Sequence, residues 1–231
     1  MREPITLIFT LIMPIMMFLV MCEVFGGEGP SHAFRGVDAI DYYAPAYVCV
    51  VMAAVGVIAI PVHLAGYRER GILRRMRASS LSFRDLFLAQ LAVGLLISLV
   101  SIAILLIPAV LLYHVKAPDS IGLVVLGSLL TALCFTAIGI FLGFVLPSAR
   151  AAQAVGLPMF LLMYVISGAA PPRDKMSDVM QWIAKCLPLW HGTSVVQDAW
   201  LGYGWNTLAS LILGAFLVVS ALITFIVIRR E

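Results

Sequence analysis

The chain has 231 residues, 62% of them apolar and 12% charged, with a mean hydropathy of +1.06 and a formal net charge of +3. So low a charged fraction excludes an ordinary water-soluble domain, in which about 25% is usual, and the small net charge gives no electrostatic footprint for nucleic acid. The four cysteines make no disulfide framework or metal site: Cys49 and Cys134 fall inside apolar stretches, and only Cys22 and Cys186 fall near one face, where pairing is geometrically conceivable.

Six apolar runs succeed one another, over residues 5–25, 44–65, 86–112, 121–145, 154–169 and 208–228. A hydrocarbon core about 30 Å thick requires roughly 20 residues of helix. Backbone groups facing lipid must bond internally, and the short alternating patterns of barrel strands are absent. The expected fold class is therefore all-α, a polytopic six-helix transmembrane bundle forming a single domain over residues 1–231. The first run contains Pro14 and is followed by no small-residue cleavage pattern, so it reads as a retained span rather than a signal sequence. Glu23, at its end, lies close enough to the interface to be hydrated rather than to mark a ligand path.

Between the second and third runs, residues 67–85 place six arginines, Arg68, Arg70, Arg74, Arg75, Arg77 and Arg84, around the apolar trio Ile72, Leu73 and Met76. The positive-inside rule and anionic lipid account for the charge. The apolar trio on a short helix suits a protein groove instead, and at this point both readings stand. In the fourth run Gly139 and Gly143, with Ala132 and Thr136 above them, form a small-residue face that lets another helix approach closely.

The segment 174–201 is patterned too. Met176, Val179, Met180, Ile183 and Leu187 recur at helical spacing opposite Asp174, Lys175, Ser177, Asp178, Gln181 and Lys185, which predicts a short amphipathic helix. Pro188 then opens a second helix that Gly202 terminates, with Trp190, Val196 and Trp200 suited to interfacial depth. His63, His114 and His191 share no metal-ligand spacing.

Lysine and arginine counts predict the orientation. Arg2, the arginines of the 67–85 loop, Arg150, Arg229 and Arg230 fall on one side, and Arg35, Lys116, Arg173, Lys175 and Lys185 on the other, which expects both termini in the cytoplasm. An intramembrane enzyme does not fit: Ser167 lacks the G-x-S-G turn of a serine protease, and no paired aspartates occupy two runs. None of the three lysines follows a glycine, so the usual nucleotide phosphate loop is missing and ATP hydrolysis is expected on another polypeptide.

Four stretches carry a resemblance: RERGILRRMRASSLS at 68–82, GIFLGFVLPSARAAQA at 139–154, SGAAPPRDKMSDVMQWIAKCLPLWHGTSVVQDAW at 167–200, and DYYAPAYV at 41–48. In order and spacing they resemble the permease subunits of type-2 ATP-binding-cassette exporters, which move drugs, polysaccharides or lipids. The resemblance implies six spans in a bacterial cytoplasmic membrane and re-entrant helices before the last span. It implies a second permease, the same chain or a related one, and soluble ATPase subunits that hold ATP and Mg, with no cofactor in this chain. It also implies a cytoplasmic coupling helix over Glu69, Arg70, Gly71, Ile72, Leu73, Arg74, Arg75, Met76 and Arg77. Spans one, two and five would line the path of an amphipathic, drug-like or lipid-like substrate, offering Met17, Phe18, Met21, Met52, Met159, Phe160 and Met163. Methionine suits a loosely selective apolar surface.

The chain departs from the family pattern at Tyr67, where Glu is frequent, and at Ser80, where Pro is frequent. It also begins where family members usually carry a preceding amphipathic segment. The competing class is a non-transporting membrane scaffold or sensor whose basic loop binds lipid.

Overall fold

The computed structural model describes residues 4–26, 29–72 and 83–229, with side chains described over 12–26, 29–72 and 85–227. The described chain is helical, in the order α1 (Pro4–Phe25), α2 (Ala39–Ala54), a π-helical turn (Val55–Ala59), α3 (Ile60–Glu69), α4 (Phe83–Tyr113), α5 (Ile121–Val145), α6 (Ala149–Ile166), α7 (Asp178–Ala184), α8 (Pro188–Trp200) and α9 (Thr207–Arg229). No strand occurs among the described residues. Five described helical stretches are long and apolar enough to cross a membrane, and α1 is apolar through its described part. The chain is a multi-pass membrane protein of the expected all-α class.

The second span, α2 through α3, is the hub. Every residue from Asp41 to Val62 is buried, because α1, α4, α5, α6 and α8 all pack on this one rod. The outer helices show the complementary pattern. Leu96, Leu99 and Leu111 of α4 and Leu208, Leu211 and Leu222 of α9 are exposed, as apolar faces in contact with lipid chains should be.

Glycines set how closely the helices approach the hub. A Cβ on Gly56 would overlap the Phe135 carbonyl of α5, and one on Gly139 would overlap the Gly56 carbonyl in return. Gly143 meets Leu64 in the same way, and Gly156 of α6 meets the Val57 carbonyl. The Gly139 and Gly143 pair is thus a packing face, met by Gly56 and Leu64 of the second span. Aromatic rings close the other side. Phe18 of α1 stands edge-on to Tyr47 at 5.4 Å and to Tyr113 at 6.3 Å, while Tyr47 stands edge-on to Tyr164 at 6.1 Å.

Helix ends depart from the apolar runs where caps decide them. α6 begins at Ala149 rather than 154, because the Ser148 side chain accepts a hydrogen bond from the Ala151 N–H and adds a polar first turn. It ends at Ile166 rather than 169, since Gly168 takes a φ of +85°. The second span extends from 39 to 69, gaining turns at both ends of the run 44–65. The cysteines are free, with Cys22, Cys49 and Cys134 buried and Cys186 exposed.

Replacing Gly139 by Ala should lower stability by about 1–3 kcal/mol, because the added methyl is driven into backbone that cannot yield. Gly214→Ala, where nothing lies within 4 Å of the new carbon, should be neutral or stabilising. Reversible denaturant unfolding of the purified protein in mixed micelles would separate the two.

Candidate functional site

Three regions hold the residues with chemical capacity: the loop end of α3, the opposite end around α8, and the apolar grooves between them.

At its loop end α3 is fastened to the α5–α6 connection by two charged side chains. Arg68 donates through Nη1 to the Phe144 carbonyl near the α5 C-terminus. Glu69 accepts the Ala149 N–H through Oε2 at 3.2 Å. Each charge sits at the helix end whose partial charge it complements, a cation at a C-terminus and an anion at an N-terminus. Ser148 caps the same first turn of α6, so Glu69 and Ser148 between them satisfy two of its free N–H groups.

The expected coupling helix begins differently from the sequence reading. Glu69 is the last residue of α3, and the chain turns at Gly71, whose φ is +68°. A continuous helix from Glu69 to Arg77 is therefore not formed; Glu69, Arg70 and Gly71 belong to the end of α3 and its turn, and Ile72 is the first helical residue beyond it. Ile72 is half-buried and Arg70 exposed. Leu73, Arg74, Arg75, Met76 and Arg77 lie outside the described residues.

The opposite end is closed by a polar belt. Arg35 pairs with Asp198 at 2.7 Å and lies 4.3 Å over the Tyr203 ring, while Asn206 donates to the second Asp198 oxygen at 2.8 Å. Lys116 bridges Asp41 at 3.0 Å and Asp38 at 3.2 Å. Its hydrogen bonds to Asp41 and then Asp38 hold the ammonium above its ordinary pKa. Tyr42 and Tyr43 donate to the carbonyls of Gly168 and Ala170, at 3.2 and 3.0 Å. Glu23 is exposed and accepts a hydrogen bond from Tyr113 at 2.8 Å.

Arg173 threads into this belt. Its Nη2 donates to Thr193 Oγ1 at 2.6 Å and to the Trp190 carbonyl at 3.3 Å, and the guanidinium lies 4.3 Å over the Trp190 ring. Burial pushes its pKa down from the usual value, and the neighbouring Arg35 acts in the same sense. Ser167, the one serine weighed as a nucleophile, is a structural cap: its hydroxyl donates to the Tyr164 carbonyl and accepts the Ala169 N–H.

The segment 174–201 forms two helices, as expected, but in a different setting. Met176 and Ala184 are buried against Ile166 and Trp190, with Met180 and Leu187 packed on them. Val179 and Ile183 face outward beside Trp182, so the five predicted residues are not one face. α8 is enclosed by protein: Val196 is wholly buried and Trp190 and Trp200 nearly so, because α2, α5 and α9 surround the helix. Gly202 ends it with a φ of +81°.

The expected path residues separate into three groups. Met17 and Met21 line an open apolar groove on α1 together with Met13, Met16 and Tyr164 of α6. Met159 is half-buried on α6. Phe18, Phe160 and Met163 are buried in the core of this chain, and Met52 is buried in the hub, against a second cavity between α2, α4 and α5.

A buried central span ringed by lipid-facing helices, with charged ties at one end and a closed belt at the other, defines a polytopic membrane protein. The chain belongs to the ABC-2 type transporter family, whose pattern matches residues 1–201. It is also similar to the inner membrane transport permease YhhJ of Escherichia coli (strain K12) and of Shigella flexneri, at 28% identity over 134 residues in each case. Those matches cover 56% of this chain and 35% of each relative. Members of this family are the transmembrane component of a transporter and not its ATPase.

Sequence reasoning missed the Arg68 and Glu69 ties, reading Arg68 as a charge of the basic loop and Glu69 as the start of the coupling helix. A signal existed, since Ser148 stands immediately before a run of helix formers and an acidic partner near such a start is favourable. Ser148→Ala should loosen the first turn of α6 by about 0.5–2 kcal/mol, and Glu69→Gln by about 0.3–1 kcal/mol. Hydrogen exchange at the amides of residues 149–152 should accelerate in both variants while the α9 amides stay unchanged.

Proposed function

We propose that the chain is the membrane subunit of an ATP-driven exporter, moving an amphipathic, drug-like or lipid-like substrate across a bacterial cytoplasmic membrane. Two permeases, identical or related, would sit on soluble ATPase subunits that bind ATP and Mg. Both termini would face the cytoplasm. The observation that carries this reading is the attachment of Arg68 and Glu69 to the α5–α6 connection. A force applied to the basic loop reaches the foot of α6 directly through it. The far end of α6 carries Tyr164, which faces the α1 methionine groove.

The path would be formed from Met17 and Met21, with Met159 beside them on α6. Phe18, Phe160 and Met163 would support these surfaces from within the core, and Met52 would act through the hub. Ile72, Leu73 and Met76 would dock on the ATPase, flanked by Arg70, Arg74, Arg75 and Arg77. Each large apolar side chain buried at such a contact contributes about 1.5–3 kcal/mol, whereas an exposed ion pair contributes about 0–1 kcal/mol.

Two experiments test the proposal. In a background lacking native thiols, single cysteines at Ser120 and Ser177 should react with an impermeant reagent in intact cells, while those at Ser79 and Ser148 should stay shielded. Labelling of Ser79 from outside would overturn the orientation. The joint replacement of Ile72, Leu73 and Met76 by Ser should abolish transport and substrate-stimulated ATPase activity in vesicles that contain the ATPase partner, at unchanged membrane abundance. Replacing the four arginines by Gln should mainly change salt sensitivity. Normal transport by the triple-Ser variant would defeat the docking role.

A further inference from the structure

A second cavity, sharing no lining residue with the α1 groove, lies between α2, α4 and α5 and has a volume of about 330 Å³. Met52 lines it from the hub, Ser98 and Leu106 from α4, Ser128 and Ala132 from α5, and Trp200 closes one end. It opens between α4 and α5 where Leu99, Val125 and Leu129 are exposed, so it communicates with the lipid-facing surface. Its size falls in the range of small-molecule sites, and the small residues Ser98, Ser128 and Ala132 keep it open. No charged residue lines it.

The hydroxyl of Ser98 distinguishes this cavity from a passive gap. Ser98 is 2% exposed and its Oγ has no hydrogen-bond partner. A serine inside a helix ordinarily donates to the carbonyl four residues back. Ser101 does so, to Ile97 at 2.6 Å, and on the facing helix Thr131 does so, to Gly127 at 2.8 Å. Ser98 does not take that bond. It lies fifteen residues from each end of α4, roughly 22 Å from either end of the helix at 1.5 Å per residue and so deep within a hydrocarbon core about 30 Å thick, where no water is available to replace the missing partner. Phospholipid ester groups lie at the boundaries of the hydrocarbon, so a lipid chain entering the cavity would leave the hydroxyl unpaired.

We propose that this cavity is a binding site for a neutral, largely hydrocarbon molecule carrying a single hydroxyl or carbonyl oxygen, of the long-chain alcohol type, with Ser98 as its hydrogen-bonding anchor and Ser128 beside it. Oγ is closed off from the cavity in this structure, and rotation of the Ser98 side chain about χ1 would bring it to the bound oxygen. The hydrocarbon part fills the space against Met52, Leu106 and Ala132. The site is separate from the α1 groove, sharing only Met52 with the residues expected along the path, and it bears on the hub three residues before the π-helical turn.

The test uses the full chain in phosphatidylcholine nanodiscs and three photoreactive probes: a diazirine-bearing octadecanol, the matching octadecane, and a phosphatidylcholine with the diazirine in one acyl chain. Adducts are located by peptide mass spectrometry. Octadecanol should label residues 95–106 and 124–132 saturably and be displaced by unlabelled octadecanol. Ser98→Ala should weaken its apparent affinity about twofold to tenfold, the worth of one hydrogen bond, down to that of the octadecane probe. Ser101→Ala should leave it unchanged, because that hydroxyl already bonds its own helix. Ser128→Leu, which fills the cavity, should abolish saturable labelling. Labelling that is not saturable, that survives Ser128→Leu, or that is matched by phosphatidylcholine and indifferent to Ser98→Ala would overturn the assignment and leave a crevice filled by bulk lipid.

Discussion

The close approach of α5 and α6 to the second span is the constraint on which the rest of the structure depends. In lipid there is little hydrophobic gain from bringing two apolar helices together, so association rests on van der Waals contact and geometric fit. Gly56 and Gly139 supply that fit by removing the side chain from both surfaces at one crossing. Once α5 is seated there, Gly143 falls on Leu64, and Gly156 carries α6 onto Val57 from another side. The second span can be buried all round only because several neighbours have small residues where they cross it.

Polar contacts then act where glycines do not. The belt around α8 joins segments far apart in sequence: Arg35 with Asp198, Lys116 with Asp38 and Asp41, and Tyr42 with Gly168. Most of these groups are partly shielded from water, which strengthens each bond relative to one in bulk solvent. At the other end Arg68 to Phe144 and Glu69 to Ala149 hold the foot of α3.

The apolar runs were legible because a bilayer imposes a minimum length on every span, and that length is visible in any window of sequence. Which face each helix turns inward was not. In a soluble helix polar residues mark the outer face, but here lipid-facing Leu99 and buried Leu105 are the same residue type. Methionine was equally uninformative: Met17 lines an open groove while Met163 is buried. Gly139 and Gly143 could be singled out as a small face, yet Gly56 and Gly156 gain meaning only once the crossing helices are known. Caps were readable in principle from Ser148 and Gly168, but a hydropathy run discards the polar first turn that a cap creates.

The π-helical turn over Val55–Ala59 divides the hub into two rods with separate angular settings. An α-helix advances about 100° per residue, and each residue accommodated in the wider turn rotates α3 relative to α2. The face that Tyr43 and Tyr47 present toward α6 and α1 therefore cannot be extrapolated to Arg68 and Glu69 by counting in steps of 3.6. One span in this way carries two compasses, the upper aligned to the aromatic rings and the lower to the foot of α6. Because Gly139 and Gly156 pack on Gly56 and Val57 within the wider turn, the one crossing of α5 and α6 fixes both settings at once.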